Sequence, residues 1–299
     1  MPNQASPKMI VIAAVAAISM GTIGVISRLS QLDAATVTFF RLAIGGCLLF
    51  LLMLVTGQAK QLKTKPHPLV LLNGVMLAGF MTLFIASLNY TTMLIAVMAL
   101  YLAPAVATVA AHFLLGERLT RYSIASVVTV LFGFSLVIYQ PDSSSTVEAT
   151  WLGLLLALGG MICYASFILI NRKIPNHYHE FAKCSWQFLI GALCVLPLLL
   201  KVNLNLSAEQ WGWMLLVGFV PGFMGIVLAV YAIKHLPAAT FSTVSYVEPI
   251  SAVLLGWWVF SESLTQIQIV GCVIIIAASV AQVIKPKRLI KAACNQTTT

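Results

Sequence analysis

The sequence predicts an all-α membrane protein with ten transmembrane helices, arranged as two inverted five-helix repeats. Three observations lead to this fold class. Apolar residues make up 60% of the chain and charged residues 8%, against about 45–50% and about 25% in soluble domains. Ten apolar segments are each long enough to cross a bilayer. Two segments that lie 145 residues apart also match one another, which indicates an internal duplication.

The charges fit a membrane protein better than a nucleic-acid-binding protein. The formal net charge is +9, but the basic residues occur in ones to fours between apolar runs and form no basic face. The six cysteines show no metal-binding spacing. No phosphate-binding loop, zinc-protease motif or nucleophile motif is present. We therefore expect no nucleic-acid partner, no enzymatic activity, no metal and no cofactor.

Each predicted span is an apolar run close to the roughly 20 residues that a membrane-crossing helix needs. In chain order they are 8–27, 34–56, 68–88, 93–115, 121–139, 151–171, 181–200, 209–233, 238–260 and 266–284. The first run follows Lys8 like a signal peptide, but no polar mature domain comes after it, so we interpret it as a span. The first five spans form one repeat, residues 8–139. The last five form the second, residues 151–284.

The basic residues also predict the orientation. With a cytoplasmic N-terminus, fourteen basic residues fall on the inner side and two, Arg28 and Lys201, on the outer side. Cytoplasmic loops carry the excess of Lys and Arg, so both termini are predicted to be cytoplasmic. Five is an odd number, so the second repeat enters the membrane from the opposite side. Two halves related in this way can exchange inward-open and outward-open conformations.

The duplicated segments carry five pairs of residues that bear on the fold. The pairs are Tyr101 and Tyr246, Pro104 and Pro249, Glu117 and Glu262, Leu119 and Leu264, and Thr120 and Thr265. A carboxylate is favourable near a helix N-terminus, so each glutamate is expected to cap the helix that follows it. We do not expect the two glutamates to take part in transport.

Glycines predict where helices approach closely. Gly79-Phe80-Met81 is echoed by Gly222-Phe223-Met224, and these glycines are expected to mark where the third and eighth spans bend or cross. Gly218 and Gly222 form a G-x-x-x-G pair, which permits close helix contact.

Glu248 is the one acidic residue near the middle of a predicted span. A carboxylate at membrane depth costs about 2.5–3.5 kcal/mol, so it is expected to face a cavity or a partner. Ser245 and Ser251 lie close to its helical face, with Ser242 further round. Glu248 is either a ligand for a substrate ammonium or a proton-coupling site, or a protonated side chain that holds the bundle together. Its repeat partner is Ala103, so the symmetric scaffold does not require the acid.

Arg41 and three tyrosines are the other candidates. Arg41 lies about two turns inside the second span and could bind a substrate carboxylate, pair with Glu248 or extend to the interface. Tyr101 and Tyr246 each precede a proline and could flank a central pocket from opposite halves, with Tyr164 as a further candidate. Aromatic residues at such spacing could equally pack between helices. The predicted substrate-binding residues are Glu248, Ser245, Ser242, Tyr246, Tyr101 and Arg41.

The chain resembles the EamA-type transporters of the drug/metabolite transporter superfamily. The matching segments are L-A-P-A-V-A-T-V-A-A-H-F-L-L-G-E-R-L-T and V-E-P-I-S-A-V-L-L-G-W-W-V-F-S-E-S-L-T. The resemblance covers nearly the whole chain and implies a central cavity, export of small metabolites with amino acids prominent among them, and a bacterial inner membrane. The chain departs from the usual pattern at Met20-Gly21, where many members have Trp-Gly, and at Ser261-Glu262, where Gly-Glu is usual.

The sequence therefore predicts a secondary transporter that exports amino acids or related metabolites by alternating access. Its expected partners are a small-molecule substrate and the lipid bilayer, with protons as a candidate coupling ion. The alternative is a non-transporting membrane scaffold or sensor with the same fold.

Overall fold

The computed structural model describes residues 7–63, 65–116, 121–139, 151–175, 178–200, 205–236, 238–262 and 264–296. Within these ranges the side chains of Ala59, Lys63, Leu115, Tyr122, Ala238, Ala239, Ser242 and residues 282–296 are not described. The described chain consists of helices joined by short connections and contains no strand. The predicted all-α fold class is confirmed.

The helices form ten spans, numbered here in chain order. Spans 1 to 5 are Pro7–Gly21 with Ile23–Ser30, Ala34–Val55, Pro68–Ser87, Met93–Leu100 with Ala103–Leu115, and Arg121–Ile138. Spans 6 to 10 are Trp151–Lys173, Glu180–Leu199, Ala208–Val217 with Gly218–Met224 and Gly225–His235, Ala238–Ser245 with Val247–Phe260, and Gln266–Gln296. Among the described residues, eight spans are long and apolar enough to cross a membrane, and shorter apolar helices occupy spans 5 and 10.

Polar side chains fix where several spans begin, because the first N–H groups of a helix have no acceptor within it. Asp33 accepts a hydrogen bond from Thr36 N–H at 3.0 Å at the start of span 2. Thr92 accepts from Ile95 N–H at 3.3 Å at the start of span 4. Ser207 forms a reciprocal capping box at the start of span 8. These caps set the register in which each span presents its polar residues.

The spans pack as two bundles, and each bundle takes helices from both halves of the chain. In bundle A, span 8 packs against spans 1 and 2, and span 9 packs against span 1. In bundle B, span 3 packs against spans 6 and 7, and span 4 packs against span 6. The bundles meet where span 2 contacts spans 3 and 7 and where span 4 contacts span 9. Spans 5 and 10 pack on one another at the side.

This packing is unchanged when each span is exchanged for the one five places along the chain. The contact between spans 1 and 8 becomes that between spans 6 and 3, and the contact between spans 2 and 8 becomes that between spans 7 and 3. Spans 2 and 7, 4 and 9, and 5 and 10 pack on their own counterparts. Such a pattern is expected of two five-helix halves related by a pseudo-two-fold axis.

Candidate functional site

Spans 4 and 9 are both interrupted at a tyrosine that precedes a proline. Span 4 breaks at Tyr101, three residues before Pro104, and span 9 breaks at Tyr246, three residues before Pro249. Proline has no N–H group to donate to the carbonyl four residues earlier. Tyr246 N–H instead donates to the carbonyl of Thr243 at 3.2 Å, a bond of the tighter 3-10 type.

The two interruptions bring their tyrosines together. The ring centroids of Tyr101 and Tyr246 are 5.9 Å apart, with an angle of 46° between the ring planes. Both side chains are partly buried. Because spans 4 and 9 are counterparts in the packing, this pair lies at the centre of the molecule, where the two halves meet.

Glu248 lies in the first turn after the interruption of span 9. Its carboxylate is within electrostatic range of Arg41, Tyr101 and Tyr164. The side chain is partly exposed, and among the described side chains none donates a hydrogen bond to it. An intramembrane carboxylate without a bonded partner is available to a ligand or a proton.

Arg41 points into the protein and not towards the membrane interface. It is 7% exposed, and its Nη2 group donates to the carbonyl of Pro221 at 3.4 Å. Among the described residues, its buried Nε group has no hydrogen-bond partner. The alternative in which Arg41 extends outward to the interface is therefore wrong. The guanidinium lies within electrostatic range of Glu248.

A π-helical turn in span 8 positions the contact that Arg41 makes. Residues Gly218–Met224 form the turn, which includes Pro221, and Gly225 N–H donates to the carbonyl of Val220 five residues earlier. A Cβ atom on Gly222 would lie 2.8 Å from the Arg41 carbonyl oxygen, so this approach requires glycine. The sequence predicts that Gly79 and Gly222 mark where spans 3 and 8 bend or cross. Gly222 lies in the π-helical turn of span 8. Gly79 lies in one regular helix where span 3 crosses span 6, since a Cβ atom there would lie 3.1 Å from Cys163 Sγ.

The hydroxyls near Glu248 are used by their own helix. Ser245 donates to the carbonyl of Phe241 at 2.9 Å, and Ser251 donates to the carbonyl of Glu248 at 2.8 Å. A Cβ atom on Gly21 would lie 2.4 Å from Ser251 Oγ, so Ser251 packs against span 1. The Ser242 side chain lies outside the described part of the structure. The predicted polar patch therefore offers Glu248 no serine donor among the described hydroxyls.

Tyr164 and Phe80 add an aromatic wall beside the tyrosine pair. Their rings stack with centroids 4.8 Å apart, and Tyr164 is within electrostatic range of Tyr246 and Glu248. Sequence reasoning did not identify Phe80, although it lies in the Gly-Phe-Met echo of span 3. Tyr164 occupies in span 6 the position that Met20 occupies in span 1, 144 residues earlier.

The EamA-like transporter family matches residues 7–139 and 151–283, which together are most of the chain. The chain belongs to this family. Together with the unpartnered carboxylate and the two interrupted spans, this membership identifies a membrane transporter.

Curated relatives of this EamA-like transporter match along most of its length. The threonine/homoserine exporter RhtA of Escherichia coli K12 is 28% identical over 287 residues, which are 94% of this chain and 92% of RhtA. The pseudopaline exporter CntI of Pseudomonas aeruginosa is 26% identical, over 84% of this chain and 87% of CntI. An uncharacterized transporter of Archaeoglobus fulgidus is 26% identical, over 87% of this chain and 91% of the relative.

The fold of this EamA-like transporter is also that of a protein of known crystal structure. The two chains superpose with a TM-score of 0.65 at 17% sequence identity. The match covers 92% of this chain and 97% of the other. At that identity the likeness shows a shared fold.

The family glutamate of the second half has a different role from the one predicted. Glu262 was expected to cap span 10, which begins at Gln266. Its carboxylate instead accepts from Met93 N–H, at 3.0 Å to Oε1 and 3.1 Å to Oε2, and so caps span 4. It also pairs with Arg28 in span 1. The corresponding prediction for Glu117 lies outside the described residues.

Three buried polar side chains in the described part of this transporter were not found from the sequence. Thr38, Asn73 and Thr91 are each 0% exposed, and among the described residues both threonine hydroxyls and both amide atoms of Asn73 have no hydrogen-bond partner. Thr38 lies one turn from Arg41 in span 2. No sequence pattern distinguishes these residues from other isolated polar residues in apolar helices.

Proposed function

We propose that this EamA-like transporter exports amino acids or related zwitterionic compounds across a bacterial inner membrane by alternating access. One observation carries the proposal: the Glu248 carboxylate, at the centre of the protein, has no hydrogen-bond donor among the described side chains and lies within electrostatic range of Arg41. A zwitterion presents both of the charges that such a pair of residues can bind.

The two charged side chains have complementary roles. Arg41 has unused guanidinium donors, and a guanidinium binds a carboxylate through two parallel hydrogen bonds. Glu248 accepts hydrogen bonds from a substrate ammonium. The two residues have a net charge of zero, so a zwitterion leaves the site neutral, whereas a dibasic compound brings an uncompensated charge into the membrane.

The aromatic side chains enclose the uncharged part of the substrate. Tyr101 and Tyr246 line the site from opposite halves, and Tyr164 with Phe80 forms one wall. Tyrosine hydroxyls can also bond a polar side chain of the substrate. Ser245 and Ser242 precede Glu248 in span 9, and in the proposed orientation this part of the span is nearer the cytoplasm.

The remaining features support transport in one defined topology. The excess of basic residues in alternate loops supports cytoplasmic termini. The two-fold packing supports rocking of bundle A against bundle B around the fixed site. Protons are the candidate coupling ion, because a proton on Glu248 would neutralise its charge when no ammonium is bound. The printed names of RhtA and CntI are those of exporters, which supports the outward direction.

Counterflow into proteoliposomes tests the proposal. Vesicles preloaded with unlabelled threonine, homoserine or another neutral amino acid should take up the labelled compound, while lysine and N-acetylated analogues should fail to exchange. The same vesicles with an imposed pH gradient report proton coupling. Absence of exchange for a broad panel of amino acids would favour the scaffold or sensor.

A further inference from the structure

An ion pair closes the end of the bundle that carries few basic residues. Arg28, in the last turn of span 1, pairs with Glu262, in the connection after span 9. Their side chains are 14% and 6% exposed. In the proposed orientation this is the outer end of the transporter. Both partners belong to bundle A.

The pair also binds the backbone of bundle B. Arg28 Nη2 donates to the carbonyls of Leu88 at 3.0 Å and Thr91 at 2.7 Å, and Nε donates to Leu88 at 3.2 Å. Glu262 accepts from Met93 N–H with both carboxylate oxygens. All of these backbone groups lie in the connection between spans 3 and 4 or at the start of span 4. One ion pair therefore joins the two bundles at this end.

Water can reach the pair from one side. A cavity of about 570 Å³ is lined by Arg28 and Glu262 together with Ser27, Gln31, Asp33 and Asn89. The guanidinium also lies over the ring of Phe260, 5.1 Å from the centroid, and Phe260 lines the same cavity. Two charged side chains that border a polar cavity can exchange their contacts with one another for contacts with water. They can therefore separate without leaving a buried, unpaired charge.

We propose that Arg28 and Glu262 form the outer gate, an ion pair that holds bundles A and B together outside and must separate when the substrate leaves. The inner end of the two bundles closes when this outer gate opens. This inference rests on the alternating access of the proposed function. The inference does not depend on which substrate the protein carries.

Distances between spin labels test the outer gate without substrate. In a background lacking the six native cysteines, labels at Gln31 and Asn89 report the separation of the bundles outside, and labels at Lys173 and His235 report it inside. All four positions are exposed.

The variant Glu262→Gln keeps the length of the side chain and an acceptor for Met93 N–H but removes the charge. The control is Glu209→Gln, which alters an exposed carboxylate bonded to Trp213.

In Glu262→Gln we expect the outer distance to lengthen and the inner distance to shorten. The ratio of the two populations should shift about tenfold or more, the size expected for loss of a charged hydrogen bond. The Glu209→Gln distances should match those of the unmodified protein. If Glu262 only caps the start of span 4, the variant should leave the inner distance unchanged or broaden both distance distributions. Either result would contradict the gate proposal.

A second variant shows whether the distance changes in Glu262→Gln result from misfolding. Arg28→Lys keeps the charge, but a lysine ammonium cannot reproduce the planar set of bonds to Glu262, Leu88 and Thr91, so the same reciprocal shift is expected. Measurements of amino-acid flux distinguish a failure of the gate proposal from a failure of the proposed substrate. Reciprocal distance changes without amino-acid exchange would overturn the substrate assignment and keep the gate, whereas normal exchange without distance changes would overturn the gate alone.

Discussion

Tyr101 and Tyr246 face one another across the centre of the protein, with ring centroids 5.9 Å apart, each at the point where its span is interrupted. The two residues are equivalent in the repeat, yet the residue two positions after each differs: it is Ala103 in one half and Glu248 in the other. The repeat thus supplies the paired tyrosines, whereas the Glu248 carboxylate has no counterpart in the first half.

Replacing Glu248 by glutamine should abolish exchange of zwitterions. The change removes the charge that binds the ammonium, and a charged hydrogen bond contributes about 1.5–3 kcal/mol, so flux should fall by at least about tenfold. Counterflow in proteoliposomes measures the loss, and gel filtration confirms that the variant is folded. Glu209→Gln should retain normal flux. Unchanged flux and unchanged pH dependence of Glu248→Gln would remove this residue from the site.

Replacing Arg41 by glutamine should weaken recognition of the substrate carboxylate. We expect the KM for a free amino acid to rise at least about tenfold, because a charge-assisted hydrogen bond is lost. The corresponding methyl ester has no carboxylate and is a cation, so the variant, whose site lacks the positive charge of Arg41, should bind the ester more tightly than the unmodified protein does. Equal effects on the acid and the ester would show that Arg41 acts elsewhere.

Adding a methyl group where spans 2 and 8 touch should destabilise the protein. A Cβ atom on Gly218 would lie 2.4 Å from Ile44 Cβ, and overpacking of this kind costs about 1–3 kcal/mol. Gly212→Ala is the matched control in the same span, since nothing lies within 4 Å of its added Cβ. That control should be neutral or stabilising by up to about 1 kcal/mol. Thermal unfolding in detergent distinguishes Gly218→Ala from Gly212→Ala.

Ser261→Gly should stabilise the protein. Ser261 has a φ of 53°, in the left-handed region, and Gly116 at the matching position of the first half has a φ of 68°. The left-handed conformation costs a non-glycine residue roughly 1–2 kcal/mol, so the gain should be about 1 kcal/mol, and Gly116→Ala should lose a similar amount. Opposite shifts of the unfolding temperature are the expected result, and shifts of the same sign would contradict it.

Stability should fall as the pH falls through the range in which histidine titrates. Burial lowers the pKa of His179, Lys234 lowers it further, and Glu180 opposes both. The unfolded chain therefore binds a proton more readily than the folded protein, and folding loses free energy as the pH drops towards the lowered value. His179→Gln should flatten this dependence. Unfolding temperatures of both proteins at pH 7.5 and 5.5 measure it, and identical slopes would refute the assignment.

The ten spans could be predicted because each is a long, mainly apolar segment, and the bilayer allows few other folds for such a sequence. Tyr101 and Tyr246 could be found because the repeat pairs them, and Glu248 could be found because its counterpart in the repeat is Ala103. The pair of Arg28 and Glu262 could not, since it joins residues 234 positions apart and a cap for the next helix was the nearer explanation.

The remaining differences between the sequence predictions and the structure concern which local hydrogen bonds the side chains form. Ser245 and Ser251 bond to their own helix, as serine often does within a helix, so their spacing around Glu248 did not indicate which acceptors they use. The π-helical turn depends on how span 8 packs against Arg41. The amide of Asn73 has no partner among the described residues, and the sequence contains no signal for this.

The composition of the bundles has a consequence for biosynthesis. Spans 1 and 2 are made first, but their partners in bundle A are spans 8 and 9, and no bundle consists of helices from one half alone. The first five helices must therefore remain in the membrane with incomplete contacts until the ribosome has delivered the second half. A separately expressed first half should not assemble by itself, and an ancestor of half this length would have needed a second copy in the opposite orientation to be stable.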